Sequence, residues 1–191
     1  MNSMLLKLST WLMTISKRWV VFLTLSIMVL FMIFILPDQA NSARIVAGDS
    51  ISPDTSFFYA PGDLLRAAEE YGAEGRTAYI HARWTFDLFF PLVYIAFLVA
   101  GISWFYSNSG ISTEWVGYTN LLPIAAGVFD YLENTAASLI MAAYPKLIAG
   151  LPLATAIFSG MKWILIGISF LAYFGLAGAA LYHFINIRFE K

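Results

Sequence analysis

The chain contains no cysteine and few charged side chains. The missing cysteines exclude disulfides, thiolate metal sites and cysteine nucleophiles among its 191 residues. Charged residues make up 12% of the chain and hydrophobic residues 60%, whereas a typical soluble domain carries about 25% charged residues. The 11 Lys and Arg residues are scattered and the formal net charge is −1, so no nucleic-acid partner is expected. This composition indicates a membrane protein.

The sequence also lacks the common catalytic motifs. It has no Gly-x-Ser-x-Gly, His-Glu-x-x-His, Walker or dinucleotide fingerprint, which argues against hydrolase and nucleotide-driven chemistry. Its histidines, His81 and His183, lie on segments expected at opposite membrane sides, so they do not predict a shared metal site. We predict no metal site, and the sequence leaves the cofactor and the catalytic residues open.

What the chain has instead is apolar runs of spanning length. A helix rises about 1.5 Å per residue, so roughly 20 apolar residues cross a bilayer. Trp and Tyr cluster at the ends of these runs, as in interfacial aromatic belts. The expected fold is all-α, a single polytopic membrane domain over 1–191 with a four transmembrane helix bundle. The predicted spans are 19–36, ended by Pro37-Asp38, then 86–106, 121–143, ended by Tyr144-Pro145, and 163–187.

The segments outside these runs are predicted as follows. Residues 2–16 have the apolar spacing of an amphipathic helix in the membrane interface, with an unstructured terminus as the alternative. The first run is interpreted as a retained span, and a cleaved signal peptide ending near Ala40–Ser42 is the alternative. The insertion 38–85 is extramembrane and partly helical, with a break near Gly72 or Gly75. Residues 145–160 lie in the interface, re-enter the membrane or extend the fourth helix.

Orientation and helix packing follow from charge and from small residues. Lys17 and Arg18 directly precede the first span, which favours both termini on the cytoplasmic side. Small side chains on the fourth span predict close packing of helices within the chain, with dimerisation as the alternative. They are Gly167, Gly175, Gly178 and Ala179.

The most informative feature is a polar triplet inside the third run. Asp130, Glu133 and Asn134 follow an i, i+3, i+4 spacing, which places them on one helix face. A charged side chain at the bilayer centre costs roughly 2.5–3.5 kcal/mol on insertion scales. The triplet should therefore face protein, water or a ligand rather than lipid.

A second set of polar side chains lies at the entry to the second span. Arg76, Arg83 and Asp87 can share a helix face that Tyr94 continues inward. Pro91 has no N–H, so the carbonyl of Asp87 loses its usual helical partner. If the second and third spans are neighbours, these side chains and the triplet form one candidate polar site.

Three functions fit this site. The first is a binding or accessory subunit of a larger membrane assembly, in which Arg83 pairs with Asp87, and Arg76 or a protonated neighbour neutralises Glu133. The second is a small proton- or cation-coupled transporter that uses the intramembrane carboxylates. The third is an intramembrane enzyme that modifies a lipid or isoprenoid, with one carboxyl as general acid. The expected partners are the lipid bilayer and other membrane-protein subunits.

Two strings of the sequence also resemble known patterns. Residues 71–91, which begin Tyr71-Gly-Ala-Glu-Gly-Arg, and Phe129-Asp-Tyr-Leu-Glu-Asn134 are similar to patterns in small, uncharacterised bacterial four-span membrane proteins. This resemblance covers about a third of the chain. It implies four spans in a bacterial inner membrane but no activity. A looser similarity is to the sterol-isomerase and sigma-2-receptor-like fold, which places acidic residues inside a few helices. The chain lacks a His-and-Glu arrangement matching that fold, so the similarity stays at the level of the fold.

Overall fold

The computed structural model describes residues 3–47 and 59–189, and this part of the chain contains helices and connecting turns but no strand. The all-α class is therefore confirmed. The α-helices are α1 Ser3–Ile15, α2 Arg18–Leu30, α3 Leu36–Ala47, α4 Pro61–Glu70, α5 Gly72–Arg83, α6 Phe86–Asn108, α7 Glu114–Gly117, α8 Leu122–Ala143 and α9 Leu151–Phe189. A π-helical turn, Phe31–Ile35, joins α2 to α3, and a 3₁₀ turn, Tyr118–Leu121, precedes α8.

Within the described residues, three helical stretches are long and apolar enough to cross a membrane. They are Arg18–Ser42, Gly72–Asn108 and Leu151–Arg188. Only 6% of the most apolar window in the first is buried inside the chain, so its apolar side chains face outward, as contact with lipid requires. The three stretches are compatible with an integral membrane protein. The predicted third span, α8, has 22 residues, but its polar triplet lowers its hydropathy and it is not among the three.

The first spanning stretch continues past the predicted stop at Pro37-Asp38, so that boundary was wrong. The helix runs through Pro37 as far as Ala47. The N–H of Leu36 bonds to the carbonyl of Phe31, five residues back, as the last bond of the π turn. Proline is tolerated in the first turn of a helix, and the π turn makes Pro37 the second residue of a new α-helical segment.

The predicted break in the insertion is confirmed at Gly72. This residue has φ +62° between α4 and α5, a left-handed conformation that glycine adopts without steric cost. At the start of α4, the Asp63 carboxylate accepts a hydrogen bond of 2.8 Å from the Ala60 N–H. After the break, α5 leads through a short turn at Trp84 and Thr85 into α6. The expected continuity between the insertion and the second span is therefore present.

The last helix, α9, begins at Leu151, so residues 151–160 extend the fourth predicted span. This outcome selects one of the three alternatives for 145–160. The prediction that the small side chains of this helix pack within the chain was wrong for its glycines. Gly167, Gly175 and Gly178 are exposed, and a Cβ added at any of them would meet no atom within 4 Å. In the described chain these glycines leave an outward-facing surface.

The chain divides into two compact units, and α6, α8 and α9 each contribute residues to both. The first unit consists of Met1–Val29, Val93–Ala126 and Ile164–Lys191, and the second of Leu30–Leu92 and Gly127–Trp163. In the first unit, the buried Asn120 amide donates to the Ser9 carbonyl at 3.1 Å and to the Ser103 hydroxyl at 3.0 Å. These bonds hold α1 and α6 against the 3₁₀ turn. The single membrane domain over 1–191 stays a prediction.

The inward face of α1 is the more polar one. Ser9, Leu12 and Ser16 are buried, whereas Met4 and Trp11 are 77% and 56% exposed. The apolar side of α1 therefore points away from the unit, which supports the expected interfacial helix.

In the second unit, the insertion packs on the C-terminal half of α8. The core consists of Leu64, Ala67, Ala68, Tyr71, Tyr79, Ala137, Ile140 and Met141. Leu64 and Ala68 are fully buried, so α4 is anchored to α8 by close apolar packing. This packing places α5 and the start of α6 beside the polar triplet.

Candidate functional site

The triplet on α8 lies on one buried face, as its spacing predicts. Asp130, Glu133 and Asn134 are 8%, 9% and 3% exposed. The Asn134 amide donates to Asp130 Oδ1 at 3.3 Å. Two carboxylates one helical turn apart repel each other when both are ionised, so this face requires positive partners from other elements.

Lys162 on α9 supplies one positive partner. Its Nζ lies 2.5 Å from Glu133 Oε2 and 3.7 Å from Asp130 Oδ1. The lysine side chain is 12% exposed, and its ammonium also lies 5.2 Å from the centroid of the Trp163 ring. One buried ammonium therefore bridges both carboxylates of the triplet. Lys162, which the sequence did not predict, takes the place that was expected of Arg76 or a protonated neighbour beside Glu133.

Arg83 at the end of α5 supplies the second positive charge. Its Nη1 lies 2.5 Å from Asp87 Oδ2 and donates to Asn134 Oδ1 at 3.3 Å. Its Nη2 donates to the Tyr79 hydroxyl at 2.9 Å. The predicted Arg83–Asp87 pair is therefore confirmed. Asn134 accepts from Arg83 and donates to Asp130, so it connects the two ion pairs into one network.

Tyr59, which precedes α4, completes the contacts of Glu133. Its hydroxyl donates to Glu133 Oε1 at 3.2 Å. Burial, followed by the charge of Glu133 and this hydrogen bond, raises the pKa of the Tyr59 hydroxyl well above its usual range. The tyrosine is therefore a neutral donor at physiological pH, and it leaves the other carboxylate oxygen to Lys162.

The described contacts of Arg76 lie in α4 and at the end of α8. Arg76 donates to the Ala68 carbonyl at 2.8 Å and lies 4.9 Å above the Tyr144 ring. It therefore holds the insertion to the end of α8. Tyr94 is buried at 4% exposure on α6 but belongs to the first unit.

The proline in α6 has a polar neighbour of its own. The Tyr131 hydroxyl donates to the Leu88 carbonyl at 2.8 Å. This bond reaches a carbonyl one residue beyond that of Asp87, the one which loses its partner through Pro91. It adds a second polar link between α8 and α6 within the second unit.

The network contains three carboxylates and two basic side chains. Asp87 faces Arg83, while Asp130 and Glu133 share Lys162. Among the described residues no group of three His, Cys, Asp or Glu side chains is arranged to hold a metal ion. The lysine ammonium occupies the position between the carboxylates that a bound cation would take. The arrangement joins α5, α6, α8 and α9 through buried charges, and it leaves one negative charge in excess when all three acids are ionised.

Sequence reasoning missed Lys162, Tyr59 and Tyr79 as members of the site. Lys162 had a usable signal, since it is a lone lysine within an apolar stretch that begins at Leu151. With the helix started at Leu151, Lys162 lies eleven residues, or about 16 Å, inside it. Tyr59 carried no such signal because its partner, Glu133, is distant in sequence. Tyr79 had one, since it lies one helical turn before its partner Arg83.

Comparison of the chain with protein-family models, with curated proteins and with solved structures finds no match. The resemblance to four-span bacterial membrane proteins therefore stays a prediction.

Proposed function

We propose that this chain is a binding or accessory subunit of a membrane assembly, in which the buried charges fix the arrangement of the helices. The observation that carries the proposal is the bridging ammonium of Lys162, which lies 2.5 Å from Glu133 and 3.7 Å from Asp130. Together with the Arg83–Asp87 pair, it gives each carboxylate of the network a cationic partner. A network whose charges are paired internally needs no ligand to be stable.

The proposal includes a fourth span, α8, in a bacterial inner membrane with both termini cytoplasmic. The exposed stripe along the middle of α8 consists of Val128, Leu132, Thr135 and Leu139. The Thr135 hydroxyl donates to the Tyr131 carbonyl at 2.7 Å, so it does not present an unsatisfied donor. The outward face of α8 is thus suited to lipid, while its polar face is satisfied by protein.

Other subunits or lipid would cover the remaining apolar surface. Within Leu151–Arg188, the most apolar window is only 22% buried. Leu171 and Phe174, on the same helix as the exposed glycines, are 75% and 65% exposed. Small residues allow close helix–helix approach in membranes, which supports an accessory role.

A proton-coupled function is the second candidate, and the charge count favours it. Three carboxylates and two cations leave one excess negative charge, which one bound proton would neutralise. A lipid-modifying enzyme needs a carboxyl free to protonate its substrate. Because cations and a tyrosine engage the described carboxylates, we do not propose it.

Replacing Asp130, Glu133 and Lys162 by neutral polar side chains distinguishes the accessory role from the proton-coupled function. The variant combines Asp130→Asn, Glu133→Gln and Lys162→Gln, which removes the charges but keeps polar partners. If the chain is an accessory subunit, the variant folds. The membrane assembly that contains it then has the same mass in mild-detergent extracts as the wild-type assembly. Reconstituted vesicles of wild type and variant then show the same proton leak, measured with an entrapped pH dye. A wild-type proton flux that the folded variant loses would overturn the accessory role in favour of transport.

A further inference from the structure

A groove of about 500 Å³ lies in the first unit, apart from the charge network. Its walls come from the start of α2, the C-terminal end of α6 with the following turn, and the C-terminal part of α9. The volume falls within the range of about 300–1,000 Å³ found for small-ligand sites. The groove is therefore large enough to bind part of an amphipathic molecule.

The lining of the groove includes polar side chains and a cation. They are Arg18, Ser107, Asn108 and His183. Across residues 3–47 and 59–189, the structure contains no ion pair of Arg18. Gly110 has φ +73°, and a Cβ built there would lie 2.9 Å from the His183 imidazole Nδ1. The absence of a side chain at Gly110 thus lets the histidine ring lie directly against the turn that follows α6.

The lining also includes large apolar side chains. Phe105, Leu181 and Phe184 are among them, and the last two are 60% and 61% exposed. Trp19 and Tyr182, the sequence neighbours of the lining residues Arg18 and Leu181, are exposed at 64% and 69%. Exposed aromatic residues of this kind are typical of the level of the lipid headgroups. The groove therefore offers both polar groups and a surface for hydrocarbon.

The charge of this unit identifies the sign of the ligand. Its described residues include four basic side chains and one acidic side chain, namely Lys7, Lys17, Arg18, Arg188 and Glu114. Basic residues next to a span attract anionic lipids of the cytoplasmic leaflet, at about 1 kcal/mol for each residue near the surface.

We propose that this groove binds one anionic phospholipid, with the headgroup phosphate at Arg18 and one acyl chain along Phe105, Leu181 and Phe184. The Asn108 amide supplies a further donor near the phosphate, whereas the Ser107 hydroxyl already donates to the Ser103 carbonyl at 2.9 Å. One Asn108 N–H already donates to the Trp104 carbonyl at 2.7 Å, which leaves the second available. The site is independent of the accessory role proposed above.

The experiment titrates the full-length chain in detergent with phosphatidylglycerol and counts bound lipid by native mass spectrometry. We expect one tightly bound phosphatidylglycerol and weaker binding of phosphatidylcholine. Arg18→Gln should weaken phosphatidylglycerol binding about five-fold, which corresponds to the loss of about 1 kcal/mol. Lys7→Gln removes the same charge outside the groove, so it is the matched control for general attraction of anionic lipid and should weaken binding less than Arg18→Gln does.

A second variant tests the apolar side chains along which the acyl chain is proposed to lie. Leu181→Asn changes an exposed side chain, so the protein should unfold at the same temperature while its phosphatidylglycerol binding weakens. This variant alone decides the question if Arg18→Gln does not fold. Equal binding of phosphatidylcholine, or equal effects of Arg18→Gln and Lys7→Gln, would overturn the proposal. Competition by inorganic phosphate at the concentration of the lipid would show a site for free phosphate and would also overturn it.

Discussion

Replacing Lys162 by methionine tests the network at the point where it depends on a single side chain. Methionine keeps most of the volume and removes the ammonium. Glu133 would then lose its contact at 2.5 Å and Asp130 its contact at 3.7 Å. Both carboxylates are at least nine-tenths buried, so water cannot readily replace the lost partner.

The expected cost follows from this burial. Removing one partner of a buried ion pair destabilises a protein by about 3–5 kcal/mol. In a chain of this size, each kcal/mol lowers Tm by roughly 2–4 °C. We therefore expect Lys162→Met to lower Tm by about 6–20 °C.

The assay is thermal unfolding in detergent, followed by circular dichroism and by size-exclusion chromatography of heated samples. Lys146→Met is the matched control, because Lys146 is an exposed lysine of the same unit and its loss should change stability by no more than about 0.5 kcal/mol. Equal Tm values for the two variants would refute the reasoning, since the bridge would then contribute nothing to folding.

Three further predictions address the rest of the structure. Arg83→Met should destabilise the chain by about 3–5 kcal/mol, and adding Asp87→Asn should restore part of the loss in chemical denaturation. Tyr59→Phe should cost about 1.5–3 kcal/mol, the range for a hydrogen bond to a charged group. The pKa of Tyr59 is raised in the folded protein, so the stabilisation by its hydroxyl is present below about pH 10 and is lost as pH rises further. The Tm of Tyr59→Phe should therefore fall less at alkaline pH than the Tm of the wild type. In this cysteine-free chain, the variants Lys7→Cys and Arg188→Cys test the number of spans. With four spans, both cysteines should react with an impermeant maleimide from the same membrane side, and labelling from opposite sides would contradict a fourth span.

Local patterns allowed much of the fold to be predicted. Apolar periodicity located the long helices, and Gly72 marked the break because glycine adopts the left-handed conformation at that turn. The boundary at Pro37 was wrong since a π turn precedes it and lets the helix continue. That turn depends on backbone bonding, which composition does not reveal.

Part of the candidate site could likewise be predicted from the sequence, and part could not. The triplet on α8 and the Arg83–Asp87 pair lie within single helical stretches, so spacing predicts them. Lys162 reaches Glu133 from another helix, and its role follows only when α9 is extended to Leu151. A contact between segments distant in sequence requires the tertiary structure.

A double-mutant cycle between Lys162 and Glu133 tests the central claim most directly. It compares the unfolding free energies of wild type, Lys162→Met, Glu133→Gln and the double variant. A buried contact at 2.5 Å should give a coupling energy of about 1–3 kcal/mol, with the double variant more stable than the sum of the single effects allows. Additive effects, within about 0.5 kcal/mol, would contradict the claim that this ion pair holds α8 to α9.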